Sequence, residues 1–210
     1  LIGGVLARLK SIPIVLSFVG LGRVFMDGPV GLKIIKKVVT QIYKYIIGNK
    51  NCTLLFEHEN DRNYLIKLLN VDVSKTVVID GAGINLEKFA YSPEPKVSKP
   101  VVLFAGRLLW SKGLGDLVEV KTILAKKNID FDLKVAGICV ENDSDAIPLD
   151  VIKGWSDAGI IDWLGKSDNV CDLIKSSNIV ALPSVYSEGI PRILLEASSV
   201  GRVCVTYDAG

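Results

Sequence analysis

Histidine and methionine occur once each in this chain, and its four cysteines never stand in a C-x-x-C pair. With His58 alone beside the scattered Cys52, Cys139, Cys171 and Cys204, a zinc site has no ligand set to draw on. The cysteines read as free thiols of a reducing compartment. No stretch reaches the roughly 18 uninterrupted apolar residues of a membrane-spanning helix. The longest candidate, Ile12 to Leu21, contains Pro13 and Gly20. The opening Leu1-Ile2-Gly3-Gly4 has no charged region leading to a cleavage site and no initiator Met, so the sequence reads as a fragment. A P-loop is missing, and no G-x-G-x-x-G follows a strand, which disfavours nucleoside triphosphate hydrolysis and dinucleotide binding. Nucleic-acid binding finds no basic-aromatic platform or recognition motif either.

What the chain has in quantity is apolar residues, 49% of the total, enough for a packed core. Charge is divided unevenly along it. Residues 1–50 hold Arg8, Lys10, Arg23, Lys33, Lys36, Lys37, Lys44 and Lys50 against Asp27 alone, whereas residues 100–210 carry more acidic than basic side chains. A basic lobe joined to an acidic one suggests two units that face different partners. Tyr91 to Pro100, with three prolines in ten residues, reads as the linker between them. The expected domains are therefore 1–95 and 96–210.

Before that stretch, Ile14–Val19 reads as a buried strand and residues 31–48 as an amphipathic helix. Ile34, Ile35, Val38, Val39, Ile42, Tyr45 and Ile46 are its expected apolar face. A strand at Thr53–Phe56, a helix over Asp61–Leu69 and a strand at Thr76–Ile79 follow. After it, strands are expected at Val101–Ala105, Phe131–Ala136, Ile160–Leu164, Ile179–Leu182 and Val203–Thr206, with helices at Leu114–Lys127, Val170–Ser176 and Pro191–Val200. Apolar strands alternating with helices imply an α/β fold with parallel sheets covered on both faces. Such sheets bind ligands at the carboxyl ends of their strands.

Two constellations fall at or near that edge. In the first, Gly106-Arg107 ends a strand and Lys112-Gly113 opens a helix. A guanidinium, an ammonium and a helix N-terminus make a diphosphate clamp, and no Asp-x-Asp metal motif is evident near it. The alternative is a loop with two surface cations. In the second, Glu188 and Gly189-Ile190 precede a helix that carries Glu196. Carboxylates at two depths suit polyol recognition, because each accepts two hydroxyl hydrogen bonds. Amides around Gly189 and Ile190 are placed to meet an anion or a sugar hydroxyl. Read without a ligand, both are solvated acids, although Glu196 stands among Leu194, Leu195 and Ala197, where an unpaired acid is costly.

Gly106-Arg107, Lys112-Gly113, and Glu188 and Glu196 with seven residues between them resemble the retaining glycosyltransferases of family 4, which have the GT-B fold of two Rossmann-like domains. Ile179–Ser184 resembles the strand leading into the first Glu, and Asp208-Ala209-Gly210 the start of a glycine-rich donor loop. In the first lobe, Gly20–Phe25, Phe56–Asp61 and Gly81–Phe89 are similar to transferases that extend lipid-linked sugars for surface polysaccharides or protein glycosylation. Departures are Asn85, where Asp is common, and Glu57-His58-Glu59 in place of an amide-containing stretch. The resemblance implies that Arg107 and Lys112 bind the donor diphosphate. Glu188 with Gly189 and Ile190 contacts the donor sugar, and Glu196 binds the ribose. It implies catalytic roles for Glu188, Arg107 and Lys112 without a metal or other cofactor, and a UDP-sugar ahead of a GDP-sugar as donor. The acceptor would be a saccharide, such as one linked to undecaprenyl diphosphate, met in the cytoplasm or peripherally at the inner face of the membrane. The first lobe would be a truncated acceptor domain, in which His58 sits on the wrong element for a base. Competing readings are a sugar-nucleotide epimerase of the same fold, a glycan phosphorylase and a non-catalytic sugar-nucleotide-binding module.

Overall fold

Strands that begin and end where β-branched runs meet glycine, proline or polar turns build two separate parallel sheets in the computed structural model. It describes residues 1–21, 25, 30–79, 83–185 and 190–208, Val30 by its main chain only. The chain divides into two compact units, 1–82 and 83–210.

The first unit runs α1 (Ile2–Leu9), β1 (Ile14–Phe18), α2 (Val30–Ile47), β2 (Cys52–Phe56), α3 (Glu59–Leu69) and β3 (Thr76–Val78). Its sheet has the order β1-β2-β3, all parallel. Alternate residues of β2 (Cys52, Leu54, Phe56) are buried and pack with Phe18, Ile47, Leu65 and Leu69. Helix α1 was not expected, because Gly3 and Gly4 each cost about 1 kcal/mol of helix propensity relative to alanine. Gly4 has a packing reason: a Cβ there would lie 2.8 Å from Ile46 Cδ1 in α2.

The apolar face of α2 differs from the expected one. Ile46 and Ile47 are buried, but Ile34, Ile35, Val38 and Tyr45 are exposed. Spacing marked a stripe wider than the part that this unit covers. Lys33, Lys37 and Lys44 are exposed on the same helix, while Lys36 donates to the Phe25 carbonyl at 3.0 Å.

The second unit runs β4 (Val101–Ala105), α4 (Leu114–Ala125), β5 (Asp132–Ala136), α5 (Leu149–Asp157), β6 (Asp162–Gly165), α6 (Val170–Lys175), β7 (Ile179–Ala181), α7 (Arg192–Val200) and β8 (Val203–Val205). Its five-stranded parallel sheet has the order β6-β5-β4-β7-β8. The chain starts at the central strand, builds outward through β5 and β6, then returns to the other side of β4. The order reverses between β4 and β7, the kind of place near which open parallel sheets bind ligands at the carboxyl ends of their strands. Strand β4 is apolar throughout because both faces are covered. Phe104 packs with Leu114, Leu133 and Ile152 on one face, and Leu103 with Ile174, Val180 and Val200 on the other. The fold class is thus the expected α/β with parallel sheets. Helix α5 is an addition, hidden in sequence behind Pro148 and its own Gly154.

The proline-rich stretch packs against the second unit. Phe89 lies in its core, and Ser92 N donates to the Val200 carbonyl at 3.2 Å. Arg202 is buried, and its guanidinium donates to the carbonyls of Ser92 (2.8 Å), Pro93 (3.0 Å) and Lys175 (3.0 Å), among others. Proline removes helix and ladder donors but leaves every carbonyl available, and those carbonyls are what Arg202 takes up. All four cysteines are free thiols, with Cys52 and Cys171 buried.

Candidate functional site: a cavity at the carboxyl edge of the second sheet

Strand β4 ends at Ala105, and Gly106 continues it with a bond from its N–H to the Ala136 carbonyl at 3.0 Å. Opposite, a Cβ on Gly137 would sit 2.1 Å from the Gly106 carbonyl oxygen. Only glycine lets the two strand ends abut there. They floor a cavity of about 290 Å³. Arg107 forms one wall, Lys166, Ser167 and Val170 from the β6–α6 turn another, and Ile193 and Glu196 of α7 a third. Arg107 and Glu196, 89 positions apart, therefore line one space.

Glu196 is buried, and one carboxylate oxygen lies 3.3 Å from Arg192 Nη2 one turn earlier. The helix entry is as expected in substance: Pro191 stands at the N-cap position, and Gly201 ends the helix in the left-handed region at φ 86°. Ile190 precedes Pro191 and is half-buried. Glu188 and Gly189 lie outside the described residues.

Lys112 closes a single 3-10 turn, Trp110–Lys112, and Gly113 (φ 77°) caps α4 behind it. Burial pulls the Lys112 amine below the ordinary lysine range, and the Arg107 charge pulls it further. A partly desolvated ammonium next to a guanidinium gives this edge of the sheet a local positive charge. The loop between β5 and α5 meets this turn. Trp110 N donates to the Asp145 carbonyl at 2.8 Å, and Ser111 Oγ donates to the Asp145 carboxylate. Asp143-Ser144-Asp145 is thus an Asp-x-Asp beside the turn that carries Lys112, which corrects the expectation that none lies near it. Its oxygens are engaged by protein: Asp143 Oδ1 accepts from Asp145 N at 3.0 Å, and Asp145 Oδ2 from Ser111. Among the described residues no three His, Cys, Asp or Glu side chains gather as a metal-binding group.

Sequence reasoning gave no role to Lys166, Ser167, Arg192 or Asp145. Arg192 was legible from its i,i+4 spacing to Glu196. The others come from loops distant in sequence, and only the sheet order brings them in. In the first unit, His58 occupies the N-cap position of α3. Among the described residues its Nε2 and Arg62 Nε are buried without hydrogen-bond partners, and burial raises the Asp61 carboxyl above its ordinary range.

Residues 99–210 match the family model described as glycosyl transferases group 1. Two curated relatives align along nearly the whole chain. One, from Campylobacter jejuni, is N,N'-diacetylbacillosaminyl-diphospho-undecaprenol alpha-1,3-N-acetylgalactosaminyltransferase, 27% identical over 96% of this chain and 54% of the relative. The other, from Escherichia coli, is UDP-Gal:alpha-D-GlcNAc-diphosphoundecaprenol alpha-1,3-galactosyltransferase, 28% identical over 98% of this chain and 54% of the relative. The chain therefore spans about half the length of either. Among solved structures, HepE of Anabaena in complex with UDP and glucose superposes with a TM-score of 0.73, covering 100% of this chain and 56% of that one at 17% identity, a likeness of fold.

Proposed function

This chain belongs to the glycosyl transferases group 1 family, and from that membership we propose that its second unit is the donor site of a glycosyltransferase acting on a nucleoside-diphosphate sugar. The observation that carries the reading is the sharing of one cavity by Arg107 and Glu196 at the carboxyl edge of the sheet.

In this reading Arg107 and Lys112 hold the diphosphate, Glu196 accepts the ribose hydroxyls, and Glu188 with the amides of Gly189 and Ile190 holds the sugar. As the bond from the anomeric carbon to the diphosphate breaks, its electron pair stays on the departing oxygen. Charge grows there, and fixed cations beside a helix N-terminus stabilise it more than they stabilise the ground state. The acceptor oxygen bonds to the anomeric carbon on the face the diphosphate leaves, with retention, as in glycosyltransferase family 4, and its hydroxyl proton passes to the departing diphosphate oxygen. The clamp supplies this stabilisation with the chain's own cations and needs no metal.

A UDP-sugar is the proposed donor, supported by the name of the Escherichia coli relative, and a saccharide on undecaprenyl diphosphate the proposed acceptor, supported by the names of both aligned relatives. The transferred sugar is a hexose or N-acetylhexosamine. Among the described residues no helix is long and apolar enough to cross a membrane. Exposed Lys33, Lys37 and Lys44 beside exposed Ile34, Ile35 and Val38 on α2 support peripheral contact with an anionic inner membrane face.

The test is a donor screen on full-length protein, measuring nucleoside diphosphate release with and without lipid-diphosphate saccharide acceptor. Acceptor-dependent release from one UDP-sugar is expected, with an α-linked product by NMR if the donor is α. Silence across uridine and guanosine donors would sink the proposal. Appearance of an epimer from donor alone would replace it with an epimerase.

A further inference from the structure

We propose that Asp145 is a positioning residue for the diphosphate clamp and acts on Lys112 through Ser111; the inference rests on the donor-site reading above. Asp145 holds the 3-10 turn by two different groups. Its carboxylate accepts from Ser111 Oγ and, at 3.4 Å, from Ser111 N, while its main-chain carbonyl accepts from Trp110 N at 2.8 Å. Ser111 is buried, and the next residue is Lys112.

The same turn is gripped from the opposite side. Val185 N donates to the Ser111 carbonyl at 2.9 Å, and Gly113 lies so close to Pro183 that a Cβ would stand 2.1 Å from the Pro183 carbonyl oxygen. Ser111 thus joins two loops that are far apart in sequence: 138–147 through its hydroxyl and 183–185 through its carbonyl. The second loop leads toward Glu188. A buried hydroxyl bonded to a carboxylate fixes the turn's rotation about its own axis, and that rotation sets where the Lys112 stem begins.

The hydrophobic core does not require this pair. Leu108 and Ile147 are fully buried and bonded through the Leu108 carbonyl at 3.0 Å, so the two loops already meet without Asp145's carboxylate. What the carboxylate adds is orientation of a cation whose value depends on being in place before charge develops.

The test uses full-length protein and two probes, inorganic pyrophosphate and UDP, titrated against wild type, Ser111→Ala, Asp145→Ala, Asp145→Asn, Lys112→Met and the double variant Ser111→Ala/Lys112→Met. Wild type binds both probes. Ser111→Ala and Asp145→Ala lose about tenfold for each, and Asp145→Asn, which keeps one acceptor oxygen, recovers part of the loss. In the Lys112→Met background the Ser111→Ala change costs little more, because the group it positions is gone. Equal probe affinities in wild type and Ser111→Ala overturn the role, even if Asp145→Ala fails to fold. A lowered melting temperature with unchanged affinities also overturns it, as does full additivity with Lys112→Met. Failure of wild type to bind both pyrophosphate and UDP overturns the donor-site reading itself, and this role with it.

Discussion

Arg192 stands one helical turn before Glu196 and carries Nη2 to 3.3 Å from its carboxylate, with the arginine 68% exposed and the glutamate 11%. The cation is spread over the surface and the anion is at the cavity wall. The pair therefore leaves one carboxylate oxygen for another donor. Glu196→Ala is expected to weaken UDP by about tenfold to a hundredfold, the range of hydrogen bonds to a charged group. Inorganic pyrophosphate should bind as before. Isothermal titration with both ligands checks this; equal losses for both would contradict a ribose role.

Lys112 sets a pH dependence of definite sign. Its folded-state pKa is lowered by burial and by Arg107. The unfolded chain therefore holds that proton more tightly, and this group makes stability rise with pH through the window between the lowered value and about 10.4. Anion binding needs the proton and runs the other way. Pyrophosphate affinity should fall with rising pH before an ordinary lysine would titrate, and Lys112→Met should flatten the profile. Titrations across that window, with unfolding curves beside them, give both signs.

Gly137 and Gly154 make a matched pair. A methyl on Gly137 meets the Gly106 carbonyl oxygen at 2.1 Å, whereas one on Gly154, inside α5, meets nothing within 4 Å. Gly137→Ala should destabilise by about 1–3 kcal/mol, as overpacking does, and lower nucleotide affinity. Gly154→Ala should stabilise by about 0.5–1 kcal/mol. Chemical denaturation of the two variants decides it.

Arg202→Met should loosen residues 91–95 from the second unit. The change leaves the carbonyls of Ser92, Pro93, Ile174 and Lys175 without their guanidinium donor, each buried acceptor costing about 1–3 kcal/mol if nothing replaces it. Limited proteolysis should cut between Tyr91 and Pro100 much faster than in wild type. Arg202→Lys, with a charge but no fork, should fall between the two.

Much of the second unit could be read directly from its residues. Val101–Ala105 has the expected bounds because five apolar residues lie between Pro100 and Gly106, and Gly201 ends α7 where a left-handed residue is needed. Other features depended on information that no local pattern carries. Proline in 91–100 signals the absence of helix but not the presence of Arg202, which turns the stretch into a strap. Ile34, Ile35 and Val38 have helical spacing, yet exposure depends on what covers the face. The site was legible where one element holds its own signal, as Arg107 does after β4 and Glu196 does in α7. Lys166 and Asp145 were not, since their approach follows from strand order and loop path.

Strand order also bears on when the site comes into being. Strand β4 is made first but acquires its second neighbour only when β7 arrives, with Val101 N then bonded to the Asn178 side chain across 77 positions. The half-sheet β4-β5-β6 can hold Arg107 and Lys166 but has no Glu196. Closing that long loop is slow relative to local pairing, so the cavity's third wall is a late folding event. A nascent or refolding chain gains its ligand grip only as α7 docks. Nucleotide then stabilises the finished sheet over every earlier intermediate, so the ligand acts as a latch on completed folding.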